Sequence, residues 1–115
     1  MTQPRTISYL GDVSRACAYV ASKVETASLE RYLLDEDLRF AIERNLITIG
    51  EAMVQIRDHE LEALVRIPHY REAIGLRNVV VHDYRQVDDR QIWGIITEFL
   101  PELAEEVRQL VTSDD

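Results

Sequence analysis

The sequence has a single cysteine, four glycines, three prolines and one tryptophan. One thiol, Cys17, excludes an internal disulfide and a thiolate metal cluster; its place on an apolar helical stripe makes it a small core residue. So few glycines and prolines leave too few turn signals for a many-stranded sandwich or barrel. No apolar run approaches the roughly 18 residues of a membrane span, and the N-terminus lacks the charged-then-apolar pattern of a secretory signal, so a cytoplasmic protein with no membrane partner is expected. What is abundant is Ala, Leu, Ile, Val, Glu and Arg, which favour helices. With 46% apolar and 30% charged side chains among 115 residues, the chain has the composition of a folded protein and the length of one domain, 1–115.

The formal charge is -8, from 13 basic and 21 acidic residues, which at first argues against a nucleic-acid partner. Its distribution matters more. Residues 86 to 115 carry two basic and eight acidic side chains, so much of the excess is C-terminal. Within residues 66 to 85 the balance reverses: Arg66, Arg71, Arg77 and Arg85 face only Glu72 and Asp83, with His69 and His82 nearby. Twelve of the thirteen basic residues are arginines, a skew that suits bidentate phosphate contact and that coding bias explains equally well.

Apolar spacing gives the helices. Ile7, Leu10, Val13, Cys17, Val20 and Val24 recur at threes and fours, predicting a helix over 6–24. Ser28 is placed to cap a short turn ending at Leu34, and Asp35 to cap a long helix over 36–58. That long helix carries apolar residues on more than one stripe, including Leu38, Phe40, Ile42, Leu46, Ile49, Met53 and Ile56, and should be central. A short helix over 61–67 is expected to stop at Pro68, another to run over 70–81, and a polar connection to follow. Asp88 and Gln91 form a capping-box pattern ahead of a last helix kinked at Pro101, with a seam of Trp93, Ile96, Leu100, Leu103, Val107 and Leu110. The expected fold is an all-α, antiparallel bundle of four to five helices.

Several chemistries lack their residues. There is no Gly-rich phosphate loop, no paired cysteines, no Glu-x-x-His and no Gly-x-Ser-x-Gly elbow, which disfavours P-loop NTP hydrolysis, zinc proteolysis, di-iron chemistry and a serine-nucleophile elbow. The signature of a nucleotidyltransferase is missing too. What remains is Gly75-Leu-Arg-Asn-Val-Val-Val-His-Asp-Tyr84, where polar residues interrupt an apolar helix near its end. Asn78 and His82 are four apart and share a face, whereas Arg77 and His82 lie about 140 degrees out of register and converge only if Arg77 reaches round or the helix end frays. From residue types alone, His82 is a candidate catalytic group, a helix-end cap or a satisfied core histidine. Arg77 is a candidate for the same polar pocket or a packing and ion-pair residue. Glu43, Glu51 and Asp83 read most simply as surface or orienting groups, and His59 and His69 sit in no comparable constellation.

Arg77-Asn-Val-Val-Val-His82-Asp-Tyr84 resembles the Arg-x4-His-x-Tyr signature of the HepT-like toxins of the HEPN (higher eukaryotes and prokaryotes nucleotide-binding) superfamily. Glu43-Arg-Asn-Leu-Ile-Thr-Ile-Gly-Glu-Ala52 is similar to that family's central helix. Ile67-Pro68 with Ile74-Gly-Leu-Arg-Asn78 is similar to its approach to the motif, and Val87-Asp88 through Trp93 with Leu100-Pro101 to its last helix, so the resemblance covers nearly the whole chain in order. It implies a two-fold homodimer whose motif copies face one another across a cleft. It also implies a metal-independent endoribonuclease with no cofactor, one toxin of a type VII-like toxin-antitoxin pair, with RNA, tRNA included, as substrate. Under this resemblance His82 and its symmetry copy move protons during attack by the RNA's own 2'-hydroxyl, Arg77 contacts the phosphate, and Asn78 orients substrate or His82. Tyr84 is the position that a nucleotidyltransferase antitoxin adenylylates in similar toxins. The runner-up reading is a non-catalytic HEPN module that binds nucleotide or scaffolds a nucleotidyltransferase, and a third is a purely structural helical dimer.

Overall fold

In the computed structural model, residues 2–113 are described, without the side chain of Tyr84. Every element among them is helical: α1 (Pro4–Glu25), α2 (Leu29–Leu34), α3 (Glu36–His59), α4 (Leu61–Leu64), α5 (Tyr70–His82), a 3-10 turn (Tyr84–Gln86) and α6 (Asp89–Ser113). The principal extents of 45 × 28 × 19 Å follow from three long helices, each about 33 to 38 Å at 1.5 Å per residue. None is long and apolar enough to cross a membrane.

The helix starts are set locally. Pro4 occupies the first turn of α1, where a missing N–H costs no hydrogen bond. The Ser28 hydroxyl accepts from the Arg31 N–H at 3.2 Å, and the Asp35 carboxylate from the Leu38 N–H at 3.0 Å, each satisfying a donor that an uncapped helix would leave free. Asp88 does the same for α6, accepting from the N–H groups of Arg90 and Gln91. Arg39 closes the other end of α2 by donating to the carbonyls of Tyr32 and Leu33 at 3.1 and 2.6 Å. The first turn of α3 thereby fixes the last turn of the helix before it.

α3 is the central helix. It packs against α1 on one side and α5 on the other, while α6 lies along α1. Leu10, Val13, Val20, Ile42, Met53, Ile56, Leu103 and Val107 are wholly enclosed; burying such a side chain removes enough apolar surface from water for about 1.5–3 kcal/mol each. The seam of α6 is as expected, except that Ile92 is buried and Trp93 only partly so, its ring tilted against the enclosed Tyr32 at 5.6 Å. Cys17 is in the core, where burial pushes its thiol up to about 12. Phe40 and Leu34 point outward despite their apolar character, Leu34 at 87% exposure.

One expectation changes. The helix before Pro68 ends at Leu64, not Ile67. The N–H groups of Arg66 and Ile67 bond carbonyls three residues back instead of four, so the chain tightens into turns before reaching a proline whose ring disfavours helical backbone in the residue ahead of it. The last helix runs through Pro101 to Ser113 as one element.

The approach to α5 is fastened to α6 by His69. Its backbone N–H donates to Glu106 Oε1 at 3.0 Å, its ring nitrogen Nδ1 bonds Oε2 of the same carboxylate, and the ring stands edge-on against Phe99. The hydrogen bond to Glu106, with the added charge of Glu106, Glu72 and Glu102, raises the imidazole pKa against partial desolvation. A raised folded-state value means this bond contributes fully below the ordinary imidazole pKa of about 6.5 and fades as pH climbs through the folded value. The urea midpoint of the wild type should therefore fall relative to that of His69→Gln between about pH 6 and pH 8, read by circular dichroism; parallel pH profiles for the two proteins would contradict this role.

Candidate active site

The motif occupies the second half of α5, and its geometry depends on how closely that helix approaches α3. Gly50 is where the two meet. A Cβ built on Gly50 would lie 2.1 Å from Cβ and 2.6 Å from Cγ of Arg77, and 3.2 Å from the Ala73 carbonyl oxygen. These are atoms at the root of a side chain and in the backbone, not a flexible tip, so any larger residue must push the helices apart.

Arg77 leaves α5 on this α3-facing side. Its Nη2 donates to Glu51 Oε1 at 2.9 Å and its Nη1 to Asn78 Oδ1 at 2.8 Å. The side chain is 23% exposed, and Nε is buried with no hydrogen-bond partner. Of five guanidinium donors, the outer ones on the two Nη atoms are left to meet an anion while Glu51 and Asn78 fix the plane of the fork. Because Asn78 turns its oxygen toward Arg77, its amide N–H groups are free to donate elsewhere.

His82 closes α5. It is exposed, one helical turn beyond Asn78 on the same face, and makes no hydrogen bond among the described residues. The exposed Val79 and Val81 flank it. Asn78 and His82 thus share a surface as their spacing predicts, while Arg77 is aimed at the seam with α3 and tied to a carboxylate. Tyr84 opens the 3-10 turn just beyond; its side chain lies outside the described residues.

The other histidines are occupied, His59 with Arg5 Nη1 at 3.0 Å and His69 with Glu106. The arginines of residues 66 to 85 are not pooled: Arg66 donates to Ser113, Arg71 lies over the Tyr70 ring at 5.3 Å, and Arg77 bonds Glu51. Among the described residues no group of three or more His, Cys, Asp or Glu side chains is arranged to hold a metal ion. An apolar cavity of about 430 Å³ between α1 and α6, lined by Cys17, Ala21, Ile96, Leu100 and Ala104 among others, contains no motif residue. Sequence reasoning assigned Glu51 only a surface or orienting role. Its pairing with Arg77 links positions 26 residues apart, which no local spacing reveals.

Against known proteins, the family described as "Ribonuclease HepT-like" matches residues 13–110. A protein of Caldanaerobacter subterraneus subsp. tengcongensis, provisionally named an RNase, is 30% identical with 99% of each chain covered. A Thermococcus cleftensis protein named a probable ribonuclease HepT is 32% identical over 83% of this chain and 86% of its own. The tRNA nuclease HepT of Aphanizomenon flos-aquae is 29% identical over 76% of both. No solved structure matches significantly.

The close approach at Gly50 gives a direct test. Gly50→Ala should lower the free energy of unfolding by about 1–3 kcal/mol, the usual cost of overpacking. Gly75→Ala, where an added Cβ meets nothing within 4 Å, should instead be neutral or stabilising, since alanine outranks glycine inside a helix. Equal unfolding curves for the Gly50 variant and wild type would show that α3 and α5 are not held this close.

Proposed function

The chain belongs to the HepT-like ribonuclease family, and on that footing we propose that it is the RNase toxin of a type VII-like toxin-antitoxin pair. It acts as a homodimer that cleaves RNA without a metal and is silenced when a nucleotidyltransferase antitoxin adenylylates Tyr84. The observation that carries this reading is the contrast between an anchored Arg77 and an exposed His82 that has no hydrogen-bond partner among the described residues. A histidine kept for packing or capping would have a partner, as His59 and His69 do.

The chemistry needs only side chains present here. His82 takes the proton from the RNA 2'-hydroxyl, the freed oxygen attacks the adjacent phosphorus, and the bond from phosphorus to the 5'-oxygen breaks. His82 of a second copy donates the proton that the leaving oxygen requires. The products are a 2',3'-cyclic phosphate and a 5'-hydroxyl. Imidazole suits both roles because it gains and loses a proton near neutral pH. Arg77 supplies planar donors to the negative charge on the phosphoryl oxygens, already oriented by Glu51 and Asn78. Two copies are needed because one α5 carries one His82, and the exposed Val79 and Val81 beside it give a second copy an apolar surface to cover. tRNA as substrate draws on the name of the Aphanizomenon relative.

Tyr84 lies two residues beyond His82, on the turn that leaves α5. An AMP joined to its hydroxyl adds a negative phosphodiester and a bulky base at the mouth of the site, where it pairs with cationic groups and blocks the strand. The ion pair of Arg77 with Glu51, together with the net charge of -8, favours a second reading, a non-catalytic HEPN module that binds nucleotide or scaffolds its nucleotidyltransferase.

His82→Ala should abolish RNA cleavage while leaving the helical circular dichroism signal and the oligomeric state unchanged; cleavage equal to wild type would remove His82 from the chemistry. For regulation, Tyr84→Phe should remain toxic on expression and resist silencing by a co-expressed nucleotidyltransferase partner. Full silencing of that variant would show that modification of Tyr84 is not the means of control.

A further inference from the structure

A cleft of about 300 Å³ lies between α1 and α3, with Tyr9 and Asp12 on one wall, Arg44, Thr48, Glu51 and Gln55 on the other, and the apolar Ile47 and Ala52 in its lining. The four polar α3 residues fall on one stripe at spacings of three and four. Glu51 belongs both to this cleft and, through its 2.9 Å bond, to Arg77. The cleft therefore begins where the anchor of the proposed phosphate ligand ends.

Its charges are unevenly satisfied. Asp12 is paired with Arg15 and Glu51 with Arg77, so both acids are neutralised by arginines outside the cleft. Arg44 is exposed and its guanidinium has no ion pair or hydrogen bond among the described residues; the Thr48 hydroxyl donates to its backbone carbonyl at 3.1 Å. Tyr9 is half-buried against the core, which holds a ring at the edge of the cleft at little entropic cost. Gln55 brings an amide with no partner among the described residues. A free guanidinium, a fixed aromatic ring and a free amide around a space of this size are the elements that bind a nucleotide: phosphate on arginine, base on the ring, base edge on the amide.

We infer that this cleft is a subsite for one nucleotide of a single-stranded RNA segment next to the scissile phosphate, with Arg44 holding its phosphate, Tyr9 stacking its base and Gln55 meeting the base edge. The inference rests on the RNase reading above. Arg44 and Glu51 are seven residues apart, about 10 Å along α3, a span that neighbouring nucleotides of an extended strand bridge. The strand then runs from Arg77 along the exposed stripe of α3, which gives an acidic protein a defined RNA path built on a few unneutralised groups.

The test uses the full chain and an RNA oligonucleotide carrying 2'-O-methyl groups throughout, which binds but cannot be cleaved by its own 2'-oxygen. Fluorescence anisotropy over a range of salt concentrations compares wild type, Arg44→Ala, Arg44→Lys and Tyr9→Leu. The cleavable RNA is assayed in parallel. Arg44→Ala should weaken binding and raise KM about tenfold, and should reduce the salt slope by about 0.7, the value for one phosphate contact on a single strand. Arg44→Lys should keep the slope. Tyr9→Leu should weaken binding about tenfold with the slope unchanged, as loss of stacking requires. If Arg44→Ala matches wild type in affinity and slope while wild type binds and cleaves RNA, the subsite is refuted and the RNase reading stands. If wild type neither binds nor cleaves, both are refuted.

Discussion

The contact between α3 and α5 at Gly50 governs the site. With hydrogen in place of a side chain at that point, α5 settles so near α3 that the root of Arg77 occupies the space a Cβ would fill. Glu51, the next residue, then reaches the Arg77 guanidinium, and Asn78 holds it from the other side. A short stretch of helix contact thus turns a long, flexible cation into a fixed planar fork. Preorganisation of this kind matters for any role that needs donors aimed at a phosphate, because the ordering entropy has been met before substrate arrives. The buried, unpartnered Nε of Arg77 marks the tightness of the arrangement.

The rest of the bundle serves that contact. α3 is held from behind by α1, and the start of α5 is fastened by His69 to Glu106 on α6. The N-terminus is tied in as well, with the Gln3 N–H donating at 3.0 Å to Glu60 at the junction of α3 and α4. Much of the protein's excess negative charge lies within residues 86–115, whereas Arg77, Asn78, His82 and Arg44 lie on α5 and α3. Asp12 and Glu51, the two acids lining the cleft beside Arg44, are already paired with Arg15 and Arg77.

The sequence made the helices and their starts legible because those features are local. Ser28, Asp35 and Asp88 cap as their positions predict, and the threefold and fourfold spacing of Ile42, Leu46, Ile49, Met53 and Ile56 marks the buried face of the central helix. The shared face of Asn78 and His82 followed from helical geometry. Features that depend on distant partners were not legible: the fit of Gly50 to Arg77, the Glu51 bond across 26 residues, the His69 clamp across 37. An angle of about 140 degrees between Arg77 and His82 required either that Arg77 reach round or that the helix end fray for the two to converge, whereas Arg77 is drawn to the α3 side by a carboxylate and α5 stays helical to His82. The outward Phe40 and Leu34 were decided by tertiary packing, which propensity and period do not encode.

The central claim is that His82 and Arg77 support RNA cleavage by the substrate's own 2'-hydroxyl. The most direct measurement is the chemical identity of the new RNA ends after incubation of the purified protein with total cellular RNA in EDTA. The account predicts fragments ending in 2',3'-cyclic phosphate and beginning with 5'-hydroxyl. Fragments with 3'-hydroxyl and 5'-phosphate ends, or intact RNA after incubation with an unmodified dimeric preparation, would contradict it.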